Sequence, residues 1–241
     1  MPNNIYECKH LQWDTDYFGV SSARVNLYGI VDEKGQEHII EFSKEYDFVT
    51  ISNINNIKDN NQWIGNRTNA FLADMNTQFL KILVDKPYYQ DEKTYVLNCL
   101  SRNEQIVDIA RKSFRYSRFF NDPQLPVEKA KSIYLHWTEC AFQKENKYFA
   151  ISEREGNIAG YILFSYNGDS CVIELIAVDE KHQGQKVGKS LIHEMESYVK
   201  YQGISKIKVG TQVNNISASQ FYSAMGFKYV SCGSMYHLWR R

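Results

Sequence analysis

The chain has 241 residues, with 28 basic against 28 acidic side chains, 43% hydrophobic and 14% aromatic residues. Balanced charge removes any global attraction to nucleic acid or an anionic membrane surface, and no run approaches the roughly 20 apolar residues that a membrane span needs. Cys8, Cys99, Cys140, Cys171 and Cys232 are scattered, odd in number and free of C-x-x-C spacing; with a polar start that holds no apolar signal core, this is the pattern of reduced thiols in a cytoplasmic protein, without a disulfide frame or a zinc site.

The first ~90 residues read as an α/β unit of their own. Ala23–Leu27 alternates as a short strand, Glu37–Glu45 is helix-like, and Asp47–Ser52 is a second strand. Ile54–Asn66 is Asn-rich helix or loop, and Ala70–Val84 is extended. Pro87 with Asp91–Lys93 marks a boundary, so the expected division is 1–92 and 93–241. Thr94–Leu100 restarts as a strand, Asn103–Phe114 is amphipathic, Asn121–Pro123 is a break, and Val127–Phe142 is a long helix. Strands follow at Tyr148–Ser152 and Ile158–Tyr166, turning at Glu155–Asn157 and Asn167–Asp169. Cys171–Val178 is an apolar strand, and Val187, Leu191, Ile192 and Met195 recur at helical spacing within Val187–Tyr201. Strand Lys206–Thr211, helix Ile216–Met225 and two strands, Phe227–Val230 and Met235–Trp239, complete a mixed α/β chain.

The strand, glycine-containing turn and helix spanning Cys171–Leu191 point backbone N–H groups and a positive helix end at one spot, which suits a phosphate. Gln183, Lys186 and Gly188 fall on the fixed positions of Q/R-x-x-G-x-G/A, and the segment resembles the acyl-CoA-binding motif of the GCN5-related N-acetyltransferases (GNAT). Where that family most often has glycine this chain has Lys186; a lysine still offers its N–H and adds an ammonium, and it calls for a less strained loop. A competing reading is a P-loop at Gly184 and Gly188–Lys189–Ser190, one residue short of the required spacing. The element order over the last ~145 residues matches the GNAT fold: a mixed, mostly antiparallel central sheet, preceded here by a smaller N-terminal α/β domain that itself resembles a partial GNAT fold.

The resemblance implies acetyl-CoA or another acyl-CoA as co-substrate, without a metal. It assigns the cofactor to Ile176, Ala177, Val178, Gln183, Gly184, Gln185, Lys186, Val187, Gly188 and Lys189. Asn215, Ala218, Tyr222, Gly226 and Phe227 follow the family's N-x-x-A-x-x-x-Y-x-x-x-G-F pattern, which implies Asn215 on the cofactor and Tyr222 near the thioester sulfur. A phenol with a pKa near ~10 stays protonated at neutral pH and can donate to a leaving thiolate. From spacing alone Tyr222 reads as a core aromatic and Asn215 as a helix N-cap. Glu174, alternating with Val172 and Ile176, is the base candidate, or else a strand-to-strand ion pair. The oxyanion donor implied by the family is a backbone amide near Ile176–Val178.

Two further segments bear on the acceptor. Ser117–Arg118–Phe119 with Asp122–Pro123, then Tyr134 and Trp137, resembles S-R-F-x-x-D-P…Y-x-x-W, and Trp13–Gly19 resembles W-D-T-x-F-F-G. Both are features of the GNAT subgroup that acylates dTDP-linked amino-dideoxy sugars for surface polysaccharides such as O-antigen and lipopolysaccharide, typified by the dTDP-fucosamine acetyltransferases. Arg118 is then a pyrophosphate anchor, Phe119, Tyr134 or Trp137 a stacking face for thymine, and His237 a further substrate contact. Residues 1–92 are expected on the sugar-nucleotide side, with no nucleic-acid or membrane partner and with a homodimer formed through the C-terminal strands. Transfer to another amine (peptide, polyamine or antibiotic) and a non-catalytic binding module are the alternatives.

Overall fold

The computed structural model describes residues 5–84 and 91–240; the boundary marker Pro87 lies outside them. In chain order the elements are β1 (Tyr6–His10), α1 (Gln12–Phe18), β2 (Ser22–Leu27), α2 (Glu33–Ser43), β3 (Phe48–Asn53), α3 (Lys58–Arg67), β4 (Phe71–Ile82), β5 (Thr94–Asn98), α4 (Glu104–Ser113), α5 (Val127–Ala141), β6 (Tyr148–Arg154), β7 (Asn157–Asn167), β8 (Ser170–Val178), α6 (Val187–Tyr201), β9 (Lys206–Gln212), α7 (Ile216–Ala224) and β10 (Lys228–Trp239). All ten strands join one sheet in the order β1-β2-β3-β10-β4-β9-β8-β7-β6-β5.

That order is palindromic about the β10–β4 pair. On one side lies the parallel pair β2–β3, on the other the parallel pair β8–β9, each followed outward by an antiparallel neighbour. The units β2-α2-β3-α3-β4 and β8-α6-β9-α7-β10 repeat the same element order. Each lends its last strand to the other: β4 lies against β9, and β10 against β3. A buried link reinforces the exchange, because Lys81 of β4 pairs with Glu196 of α6 and donates to the Met225 carbonyl, at the end of α7, at 2.6 Å.

Hydrophobic spacing explains the layers. Val187, Leu191, Ile192, Met195 and Val199 of α6 are buried against Ile162, Phe164, Ile173 and Ile207 of the sheet. On the opposite face Ile106, Val107, Ile109 and Ala110 of α4, with Ala141 of α5, pack on Phe149, Tyr161 and Leu175. The N-terminal half has its own core of Val25, Ile39, Val49, Ile51 and Ile64.

One difference from the sequence reading has a physical cause. The last two expected strands form one twelve-residue strand, β10, whose register slips between Tyr229 and Ser231. Gly233 lets it continue, since a Cβ there would lie 2.8 Å from the Ile54 carbonyl oxygen and 3.1 Å from that of Asn53. In the sheet β10 is covered by β3 from Ser234 to Trp239 and by β4 from Lys228 to His237.

Candidate active site

The site begins where two parallel strands part. β8 and β9 are paired only from Ser170↔Lys206 to Ile173↔Val209. Beyond that point Gly210, Thr211 and Gln212 stay with β4, while Leu175–Val178 stay with β7. A bulge begins the divergence: Leu163 faces Leu175 and Phe164 faces Ile173, so Glu174 is unopposed. The Asp179 N–H bonds the Ala159 carbonyl on β7 at 2.9 Å. By the alternation of a strand, Val178 and Ile176 therefore turn their peptide groups to the edge that β9 has left. The opening is a cavity of about 1000 Å³ running between β8, β9, the starts of α6 and α7, and the Phe114–Arg118 segment.

At one end lies the loop before α6. Gly184 has φ +77° and Lys186 has φ +63°, ψ 11°. Lys186 thus sits in the left-handed region, which is open to a residue with a Cβ at a typical cost of about 1–2 kcal/mol. No side chain caps α6, and its first turn holds no acidic residue, so its leading N–H groups and Lys189 face an open wall of the cavity. This arrangement suits an anion by both geometry and charge. Gly188 is needed for packing, since a Cβ there would come within 3.2 Å of the Phe221 ring. Of the cofactor residues expected from sequence, all line the cavity except Gln185, whose side chain donates to the Lys181 carbonyl.

The corresponding place in the N-terminal half is closed. β2 and β3 remain paired from Ser22↔Phe48 to Leu27↔Asn53, and the Asp32 side chain caps α2 by accepting the Gly35 N–H at 2.9 Å. A carboxylate thus stands where an anion would bind.

Asn215 caps α7 through the Ala218 N–H at 3.2 Å and also lines the cavity, so both sequence readings hold for it. Tyr222 is 3% exposed, packed among Phe79, Phe221 and Phe227, and reaches the cavity. Its hydroxyl has no hydrogen-bond partner among the described residues, and burial holds the phenol well above its ordinary value. Glu174 lies on the cavity wall, but its carboxylate accepts from Lys147 at 2.6 Å on both oxygens and from Ser165. In this structure it is a member of an ion pair.

At the other end, Arg118, Tyr134 and Trp137 line the cavity. Tyr134 stacks on Phe114 at 4.6 Å and meets Trp137 edge-on at 5.2 Å. The structure corrects two expected contacts. Phe119 is 1% exposed in a core with Phe18, Phe48 and Ile133, beneath the cavity wall, and His237 is fully buried, held by Asp122 at 2.6 Å. Neither ring lines the cavity. The sequence reading missed the charged group around Arg118: Asp14 of α1, Arg24 of β2 and Asp74 of β4. Burial raises the Asp74 carboxyl to about 6 against the opposing pull of the Met75 N–H and Arg118. Burial and Arg24 lower Arg118 to about 10, which leaves it charged at neutral pH. Asp14 belongs to the W-D-T segment, whereas Arg24 and Asp74 carry no motif, and only the tertiary structure brings the three to Arg118. Among the described residues, no group of three or more His, Cys, Asp or Glu side chains is arranged to hold a metal ion, and no helix is long and apolar enough to cross a membrane.

Residues 103–227 match the model described as the acetyltransferase (GNAT) family. The spore coat polysaccharide biosynthesis protein SpsD of Bacillus subtilis (strain 168) is 29% identical over 136 residues, which is 56% of this chain and 47% of that protein. The chain thus matches about half the length of that relative. Among solved structures, a functionally unknown conserved protein from Staphylococcus epidermidis aligns over 100% of this chain and 94% of its own, with a TM-score of 0.66 at 11% identity. A GCN5-related N-acetyltransferase from Sphaerobacter thermophilus aligns over 97% and 76%, with a TM-score of 0.63 at 11% identity; both show likeness of fold. The matched segment is more than half of the chain, and the chain belongs to the GNAT family of acyl-CoA-dependent acetyltransferases.

Proposed function

We propose that this GNAT family member transfers an acyl group, acetyl in the simplest case, from acyl-CoA to the amine of a dTDP-linked 3- or 4-amino-dideoxyhexose, in the cytoplasm, for surface-polysaccharide synthesis. The observation that carries this reading is one continuous cavity with an uncapped, lysine-flanked helix start at one end and Arg118 with an aromatic wall at the other. The first end suits the CoA pyrophosphate. The second suits a second pyrophosphate, held by the guanidinium fork, and a flat base stacked on Tyr134 or Trp137. SpsD, named for polysaccharide biosynthesis, supports a sugar acceptor.

In this mechanism the pantetheine arm lies along the free edge of β8, and the amine attacks the thioester carbon directly. Negative charge on the carbonyl oxygen is met by the backbone N–H of Ile176 or Val178, groups already oriented before reaction. Collapse breaks the C–S bond, and Tyr222 gives its proton to the sulfur. The ammonium proton leaves through water to Glu174, or to Asp74 beside Arg118, whose pKa near 6 suits a base at neutral pH. Residues 93–241 serve the acyl donor and carry Arg118, Tyr134 and Trp137, and residues 1–92 add to the acceptor side Asn76 on the cavity wall and Asp14, Arg24 and Asp74 around Arg118.

A thermal-shift panel with acetyl-CoA, dTDP and UDP, each alone, tests the reading. Stabilisation grows as RT ln(1 + [L]/Kd), so millimolar ligand registers micromolar affinity. Shifts with acetyl-CoA and dTDP but not UDP are expected. A shift with acetyl-CoA alone overturns the nucleotide-sugar assignment in favour of another amine.

A further inference from the structure

Asp122, the acidic residue of the S-R-F-x-x-D-P segment, is buried and does not line the cavity. Its carboxylate is nevertheless engaged on both sides. Oδ2 accepts the Nδ1–H of His237 at 2.6 Å and the Nε1–H of Trp239 at 2.9 Å, and Oδ1 accepts the Gln124 N–H at 3.0 Å. Both ring donors belong to β10, where Trp239 stacks on Phe48 at 4.8 Å. One residue earlier, Asn121 donates to the Ala73 carbonyl of β4 at 2.8 Å. The 117–122 turn is therefore fastened to the two central strands of the sheet.

The same turn carries Arg118. Its guanidinium lies 4.0 Å from the centre of the Phe119 ring, and that ring lies 6.3 Å from His237. The Arg118 Nε is buried and without a hydrogen-bond partner among the described residues, while other parts of the side chain reach the cavity. Among the described residues no side chain holds the Nε–H; Asp14 and Asp74 act on the guanidinium through charge, and the turn beneath it sets where the side chain starts. The chemistry at Asp122 calls for a carboxylate. Three N–H donors converge on its two oxygens, and an amide in the same place would turn its own N–H₂ toward one of them.

We infer that Asp122 is a positioning residue. By holding His237 and Trp239 it fixes the turn that presents Arg118 to the acceptor, without touching cofactor or reacting atoms. Only the nucleotide readout of its test rests on the reading of the acceptor given above.

The test uses the full chain carrying Asp122→Asn, with Arg118→Lys as the reference. In a nitrogen-15 spectrum the Arg118 Nε–H signal is assigned by its loss in Arg118→Lys. Asp122→Asn is expected to speed its solvent exchange at least 10-fold, leave the acetyl-CoA Kd within twofold, and raise the dTDP Kd at least 10-fold, as Arg118→Lys does. Trp239→Phe keeps the stack on Phe48 and removes one donor; it should shift exchange the same way by a smaller factor, and it replaces Asp122→Asn if that variant does not fold. Unchanged Arg118 exchange overturns the inference, as does a parallel loss of acetyl-CoA affinity, which marks general loosening. If the wild-type chain binds no dTDP, the nucleotide assignment fails, and the exchange readout still decides whether Asp122 holds Arg118.

Discussion

Replacing Tyr222 by phenylalanine removes one oxygen and leaves the aromatic packing with Phe79, Phe221 and Phe227 in place. The lost hydroxyl has no hydrogen-bond partner among the described residues, and Tyr222 as a whole is 3% exposed, so folding stability should change by less than about 1 kcal/mol. The effect on rate is larger. Positioned general acids contribute roughly 10²–10⁴-fold. A thiol of ordinary pKa near ~8.5 is already a fair leaving group, which puts the expected loss near the lower limit: about 10²-fold in kcat, or ~2.7 kcal/mol of barrier. The assay is free-thiol release at saturating substrates, repeated with an acyl donor whose thiol is more acidic. The gap between wild type and Tyr222→Phe should narrow with that donor, and the KM for acetyl-CoA should stay constant. Because burial keeps the phenol above its ordinary value, wild-type kcat should show no Tyr222-dependent fall up to about pH 10. A folded Tyr222→Phe variant within threefold of wild-type kcat would refute the assignment of this residue as the acid.

Calorimetric titration should give one acetyl-CoA per chain, because β2 and β3 do not part and Asp32 caps α2; two sites would contradict the account of the closed half. Lys186→Gly should relieve left-handed strain worth about 1 kcal/mol before glycine's added chain entropy. The melting temperature should hold or rise while acetyl-CoA affinity falls with the lost charge, and a clear fall in melting temperature would count against the strain argument. Asp74 has its folded pKa raised from 3.8 to about 6. Its ionisation therefore opposes folding above that value, and the penalty vanishes below the unfolded pKa. Urea unfolding should show Asp74→Asn stabilising the chain by about 1–3 kcal/mol at pH 8, with the gain disappearing as pH falls from 6 to 4. His237, lowered mainly by burial, works in the opposite direction. The folded state resists protonating it, so stability should be lost as pH falls below the unfolded value of about 6.5, and His237→Gln should flatten that part of the pH profile.

Local chemistry made much of the cofactor end legible. The apolar run at Cys171–Val178, the glycine-containing turn and the spacing of Val187, Leu191, Ile192 and Met195 depend on neighbours in sequence, and each element formed where that spacing put it. The N-cap at Asn215 is local in the same sense. Phe119 and His237 were harder to read, because spacing gives a ring's side of an element but not the layer it enters. The same holds for Glu174, whose carboxylate is oriented by Lys147 and Ser165 from outside its own strand.

Sequence by itself therefore determined the strand–turn–helix at one end of the cavity and the family, and it named the residues proposed as acid and anion ligands, since these follow from contacts a few residues apart. Tertiary structure alone decided that β4 and β10 change places between the halves. With that exchange it decided which buried charges surround Arg118, and which of two similar strand pairs opens. Those outcomes rest on pairings between residues more than a hundred positions apart, such as Asn76 with Gln212 and Thr50 with His237, and no local pattern of side chains encodes them.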